Sequence, residues 1–167
     1  MSRGFVKEDD QEEVPLVPPR ADLPERTTNY VTQTGMDELL TEKQSLTNEQ
    51  KNLIQINEKE KRIASNFITA KLQLLSNRIA SAKIIDLRNQ PKDEIRFGAT
   101  VSLQIGTMKQ LQKYQIVGVD EADIAKQKIA FISPIAKLLI GKRVGESAIL
   151  KLATENRTFK IEAISYL

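Results

Sequence analysis

Apolar residues recur every seven positions at Leu39, Leu46 and Leu53, and Met36 and Leu40 widen the stripe. A second series, Ile68, Leu72, Leu75, Ile79 and Ala82, advances in steps of four, three, four and three. This is the spacing of a helical seam, in which every third or fourth side chain returns to one face. Ile63 and Phe67 carry the second stripe back toward the polar break Gln55-Ile56-Asn57-Glu58-Lys59-Glu60-Lys61. The simplest arrangement is a hairpin of two antiparallel helices with its tip near residues 57–61. One continuous helix pairing with a second copy is the alternative, because the break contains neither Gly nor Pro. Thr34 or Thr32 is placed to cap a first helix starting near Gly35, with Asp37 and Glu38 at its positive end. Asn89-Gln90-Pro91 is expected to end the second helix, since proline disfavours helical backbone in the residue before it.

Beyond Pro91 the period changes to two. Residues 99–105, 114–119 in part, 128–132, 148–152 and 159–164 alternate as short strands, which predicts a compact and largely antiparallel sheet. One helix interrupts them. Ser133 suits its N-cap, Pro134 its first position, Ile135, Leu138 and Leu139 its apolar face, and Gly141 its stop. The predicted class is α+β. Residues 1–33 form an extended or disordered acidic, Pro-bearing arm, residues 34–90 an antiparallel coiled-coil hairpin, and residues 91–167 a small sheet domain with one helix. In the arm, Glu8, Asp9, Asp10, Glu12 and Glu13 form an acidic run, and Pro15, Pro18, Pro19 and Pro24 block regular structure.

Composition narrows the chemistry. The 167 residues include no Cys and no His, so disulfides, Cys/His zinc sites, imidazole acid–base work and thiol nucleophiles are excluded. Trp is absent and aromatics make up 5%, leaving few platforms for stacked bases. No apolar run reaches the length of a membrane span and no signal-peptide core is seen, so a soluble cytoplasmic protein without membrane contact is expected. The net charge of +3 is a basic body behind an acidic arm, a distribution that suits nucleic acid or an acidic protein surface, or a merely solvated exterior.

Several blocks resemble the Gre transcription elongation factors. Phe97-Gly98-Ala99-Thr100-Val101 is similar to the entry of that family's C-terminal domain. Tyr114-Gln115-Ile116-Val117-Gly118 followed by Asp120-Glu121-Ala122-Asp123 is more specific, and Ser133-Pro134-Ile135-Ala136-Lys137-Leu138-Leu139-Ile140-Gly141-Lys142 is the most specific. Gly145, Ile164-Ser165-Tyr166-Leu167, Ile84-Ile85-Asp86-Leu87 and Tyr30-Val31-Thr32 with Gly35 follow in order. The resemblance implies an N-terminal antiparallel coiled coil and a C-terminal domain related to FK506-binding proteins. It also implies bacterial RNA polymerase as the partner, with Ser133, Pro134 and Ile135 at the contact with the rim of its secondary channel. In the family, acidic residues at the hairpin tip help hold a magnesium ion of the polymerase, which then cuts its own backtracked transcript.

The chain departs from that pattern at the tip. The family's Asp-Leu-(Ser or Lys)-Glu-Asn-Ala is missing, and Glu58 and Glu60 stand there among Lys59, Lys61 and Arg62. Two residues apart on a helix, they do not share a face. Against the family, the hairpin over residues 35–86 is shorter by roughly seven residues per arm, or roughly 10 Å of reach. Metal ligation tolerates errors of only about 0.2 Å. Ile132 replaces an acidic residue that assists the rim contact in part of the family, and the long acidic arm is a third difference.

The expected function is therefore a monomeric polymerase-binding elongation regulator that modulates elongation without efficient transcript cleavage. It has no catalytic residue, no metal ligand and no tightly bound cofactor of its own, and it meets the polymerase's Mg2+ only if the tip reaches it. A contact with nucleic acid in the elongation complex stays open: Lys71, Arg78, Lys83 and Arg88 are either a basic face toward it or a solvated helix face. Asp120, Glu121 and Asp123 are read as a turn, and so is Gly141-Lys142-Arg143-Val144-Gly145. Two alternatives are an active cleavage factor using Glu58 and Glu60, and a prolyl isomerase suggested by the related fold. The latter needs an aromatic-lined pocket, and Phe97, Tyr114, Phe131, Phe159 and Tyr166 are mostly required in the core.

Overall fold

The structure, a computed structural model, describes residues 14–54 and 57–167. The acidic run Glu8 to Glu13 and the first two residues of the polar break, Gln55 and Ile56, lie outside the described residues.

Two helices form the N-terminal unit, α1 (Gln33–Lys51) and α2 (Glu58–Ser81). Two asparagines explain why the chain turns here although no Gly or Pro is present. Asn52 closes α1, its backbone and side-chain N–H groups both donating to the Asn48 carbonyl at 3.0 and 2.9 Å. Asn57 opens α2, its Oδ1 accepting from the Glu60 N–H at 2.9 Å. Side chains that bond their own backbone compete with helix continuation and favour its ends. The turn thus falls between Lys51 and Glu58, slightly before the expected tip. The helices run antiparallel: near the tip Gln50 Nε2 donates to Ser65 O and Thr69 Oγ1, and near the base Leu39 and Leu75 are buried together with Val31. The seam is tightest at the base. Leu75 is fully buried, whereas Ile63 and Ile54 near the tip are 59% and 94% exposed, and Leu40, expected in the stripe, is 48% exposed.

A two-stranded parallel pair closes the base of the hairpin, β1 (Asn29–Val31) against β2 (Ala82–Ile84). The sequence counted residues 29–33 in the arm and carried the second helix on to Pro91. Of the two candidate caps Thr32 is the one used, Gln33 already belongs to α1, and α2 stops at Ser81. The cause is local. Asn29 Nδ2 donates to the Arg78 carbonyl and to Ser81 Oγ, taking a helix-end carbonyl out of the ladder while Ala82–Ile84 turn to pair with β1. A 3-10 turn at Leu87–Asn89, capped by Asp86, leads on to the second unit.

That unit is a five-stranded sheet in the order β5-β4-β3-β7-β6, built from β3 (Thr100–Ile105), β4 (Gln112–Val117), β5 (Lys128–Ala130), β6 (Ser147–Lys151) and β7 (Asn156–Ser165). All pairings are antiparallel except β4 with β5, which is parallel. A register shift at Ser102/Leu103 bends the central strand β3, which is buried at Val101, Ser102 and Leu103. Helix α3 (Pro134–Leu139) packs against the sheet through Ala136 and Leu139, which join its core. The expected α+β class is observed.

Candidate functional site

Helix α3 positions the residues singled out at the sheet domain. Ser133 is its N-cap, Oγ accepting from the Ala136 N–H at 3.3 Å, and Pro134 occupies the first turn where its missing N–H costs nothing. Gly141, with φ of +91°, ends the helical segment in the left-handed region open to glycine. Pro134 is exposed, while Ser133 and Ile135 are half-buried. All three line an open groove of about 460 Å³ together with Ile124, Ile129 and Leu150. Its walls are mostly aliphatic, and Ile124, on a 3-10 turn capped by Asp123, stands 75% exposed at the lip. Such a surface offers an apolar concavity with a few polar groups around it.

Glu58 and Glu60 lie far from this groove. Both are exposed in the first turn of α2, whose 24 residues span about 36 Å from the hairpin base. At roughly 100° per residue they diverge by about 200° and do not form a ligand pair. Lys59 and Lys61 flank them. Among the described residues no group of three or more Asp and Glu is placed to hold a metal ion.

The structure also builds a joint that the sequence reading treated as separate features. Asp120, Glu121 and Asp123 are more than a turn. Glu121 is buried, accepts from Thr32 Oγ1 at 2.6 Å and pairs with Lys128 Nζ at 3.0 Å. Asp120 receives Arg20 Nε at 3.0 Å and lies 3.2 Å from Arg78 Nε. Tyr30, from β1, packs against Phe97 and Phe131 with ring centroids 5.8 and 5.7 Å away. Gly118 lets the chain approach closely: a Cβ there would stand 2.6 Å from the Tyr30 carbonyl oxygen. These residues fix the hairpin base onto the sheet domain. Thr32 and Glu121 lie 89 positions apart and Arg20 and Asp120 lie 100 apart, so spacing in the sequence gives no sign of the joint.

The four basic residues of the hairpin each have a neighbour within the chain, while Lys83 and Arg88 stay exposed. Arg78 pairs with Asp120 and donates to the Ala21 carbonyl, and Arg88 pairs with Asp86. Lys71 sits 4.6 Å from the Phe67 ring centroid and Lys83 5.9 Å from that of Tyr30. Hydrogen bonding to Arg88 holds the exposed Asp86 carboxyl below its ordinary range. No described helix is long and apolar enough to cross a membrane.

Comparisons with known proteins fall on this same domain. The family model described as transcription elongation factor, GreA/GreB, C-terminal, matches residues 90–166. The transcription elongation factor GreA of Pelobacter propionicus is 37% identical over 100 residues, 60% of this chain and 63% of that protein. GreA of Halorhodospira halophila is 39% identical over 102 residues, 60% of this chain and 65% of that protein. The matched stretch therefore spans less than two thirds of these relatives. Among solved structures, GreA factor homolog 1 (Gfh1) of Thermus thermophilus aligns over 81% of this chain and 97% of its own, with 22% identity and a TM-score of 0.39. A GreA/GreB factor from Nitrosomonas europaea aligns over 82% and 98%, with 14% identity and a TM-score of 0.42. Over residues 90–166 the chain is similar to the C-terminal domain of the GreA/GreB transcription elongation factors.

Proposed function

We propose that the chain is an elongation regulator that binds bacterial RNA polymerase at its secondary channel, docking through the groove at Ser133, Pro134 and Ile135, and that it acts without efficient transcript cleavage. The observation that carries the reading is the groove itself: an exposed aliphatic surface at the start of α3, within a domain similar to the Gre C-terminal domain, whose relatives bear the name transcription elongation factor. The tip supports the second half. Diverging carboxylates with lysines beside them are a poor source of ligands for a shared cation, because ligation demands convergent oxygens at fixed distance. The chain's own residues then bind and position, and any bond cleavage belongs to the polymerase.

The test is capture of core polymerase by tagged protein at micromolar concentration and moderate salt. Pro134→Glu with Ile124→Asp leaves the Ser133 cap intact and places charge in the groove. Capture by the parent chain and its loss in this variant is the expected result, and no capture by the parent chain refutes the proposal. A stalled, backtracked complex with labelled RNA separates regulator from cleavage factor. Stimulated cleavage that depends on Glu58 and Glu60 would establish the alternative. An isomerase reading has less support, since Phe97 and Phe131 are engaged with Tyr30 and the groove is lined by aliphatic side chains.

A further inference from the structure

We infer that residues 15–24 are a strap that fixes the angle of the hairpin against the sheet domain. Arg20 is the fastening. Its guanidinium gives two hydrogen bonds to Glu42 of α1, at 2.8 and 3.0 Å, while its Nε donates to Asp120 of the sheet domain at 3.0 Å. Arg78 of α2 pairs with the same Asp120 and donates to the carbonyl of Ala21, the next residue of the strap. Strap, both helices and the sheet domain thus meet in one ion cluster, in which the side chains of Arg20, Arg78 and Asp120 are 19%, 12% and 8% exposed and that of Glu42, at the outer edge, 44%. Two-toothed Arg–carboxylate pairs fix geometry as well as charge. Val17 and Leu23, both half-buried, line the same surface as Leu74 on α2. Pro15, Pro18, Pro19 and Pro24 keep this segment extended before it docks, which lowers the entropy lost on docking.

Position gives the strap its leverage. The joint made by Thr32, Tyr30 and Gly118 sits at the pivot, the base of the hairpin. Glu42 lies nine residues into α1, about 14 Å farther along the hairpin. A brace at that distance resists tilting far better than contacts at the pivot. A tilt of about 10° would displace the end of α1, about 28 Å from its start, by roughly 5 Å. Without Arg20 the remaining pair is weak in directional bonds, since Arg78 Nη1 and Asp120 Oδ2 make no hydrogen bond among the described residues. This inference concerns the molecule alone and stands whether or not it binds polymerase.

The chain has no cysteine, so two can be introduced without background. Spin labels at Glu49→Cys on the exposed side of α1 and Lys109→Cys in the β3–β4 turn report the distance between hairpin and sheet domain by pulsed electron resonance. With the native strap a single narrow distribution is expected. Arg20→Ala and Arg20→Glu should broaden it or add a second population of roughly 10% or more, the scale of a minor conformer separated by little energy. Circular dichroism and a cooperative melt verify folding. If the charge reversal disturbs folding, Arg20→Ala, which only removes a side chain from the extended segment, decides. An unchanged distribution in the folded Arg20→Ala protein, or a broad one already in the parent chain, overturns the inference.

Discussion

The hydroxyl of Thr32 serves two parts of the molecule at once, and removing it should cost more than a helix cap. Its oxygen accepts from the Gly35 N–H at 2.9 Å, capping α1, while its proton goes to Glu121 Oε2 at 2.6 Å. Thr32→Val keeps the shape and deletes both bonds. The lost cap is worth about 1 kcal/mol. The lost bond to a buried carboxylate is worth about 2 kcal/mol, because a charged acceptor is left facing a methyl group. The sum, about 3 kcal/mol, corresponds to a fall in melting temperature of roughly 6–12 °C for a chain of this size. Urea unfolding followed by circular dichroism gives the free energy, with Thr32→Ser as the control that retains the hydroxyl. Combining Thr32→Val with Glu121→Ala, which removes the acceptor, then isolates the pair. The two losses should fail to add by about 1 kcal/mol or more, as expected for groups in direct contact. A loss below about 1 kcal/mol, or strict additivity, would show that the hydroxyl acts only as a cap and that the joint is held elsewhere.

Other outcomes follow from the same contacts. Gly118→Ala should destabilise by about 2 kcal/mol or more in the same urea assay, since the new Cβ meets the rigid Tyr30 carbonyl at 2.6 Å. Leu75→Ala, at a fully buried position of the hairpin base, should cost about 2–5 kcal/mol. Tyr166 donates to Glu94 O at 2.6 Å and accepts from the Arg96 N–H at 2.8 Å, so Tyr166→Phe should lose about 1–2 kcal/mol. Burial raises the phenol of Tyr166 above its ordinary 10.0. Its contribution is therefore complete below that pH and fades as pH rises toward the folded-state value, a decline that pH-dependent melts of Tyr166→Phe should lack.

What could be read from the sequence was what is written locally. The seam residues Leu39, Ile68 and Leu75 follow from period alone, and Ser133, Pro134 and Gly141 from the chemistry of helix ends. The α+β division follows from the change of period after Pro91. Strands β1 and β2 escaped because three residues carry no periodic signature and Asn29 pairs with Ala82, more than fifty positions away. The same holds for Asp120 and Glu121. Read alone they look like a solvated turn, and only the folded chain brings Arg20, Arg78 and Thr32 to them. At the candidate site, Ser133, Pro134 and Ile135 were legible from the resemblance and from helix capping. The groove they border was not, because Ile124 and Leu150 reach it from a separate turn and strand. The hairpin turn was legible as a break but not in mechanism. Asn52 and Asn57, each bonding its own backbone, set where it falls.

The parallel clasp of Asn29–Val31 on Ala82–Ile84 fixes where the two helices begin and end relative to each other, whatever happens at the far end. Above it the seam repeats in sevens. The probe can therefore be lengthened or trimmed only by matched blocks, one heptad in each helix, if side chains are to keep facing one another. Each such block changes its length by about 10 Å. Reach behaves as a stepped ruler mounted on an unchanged head, so the hairpin can change its length without any redesign of the sheet domain beneath it.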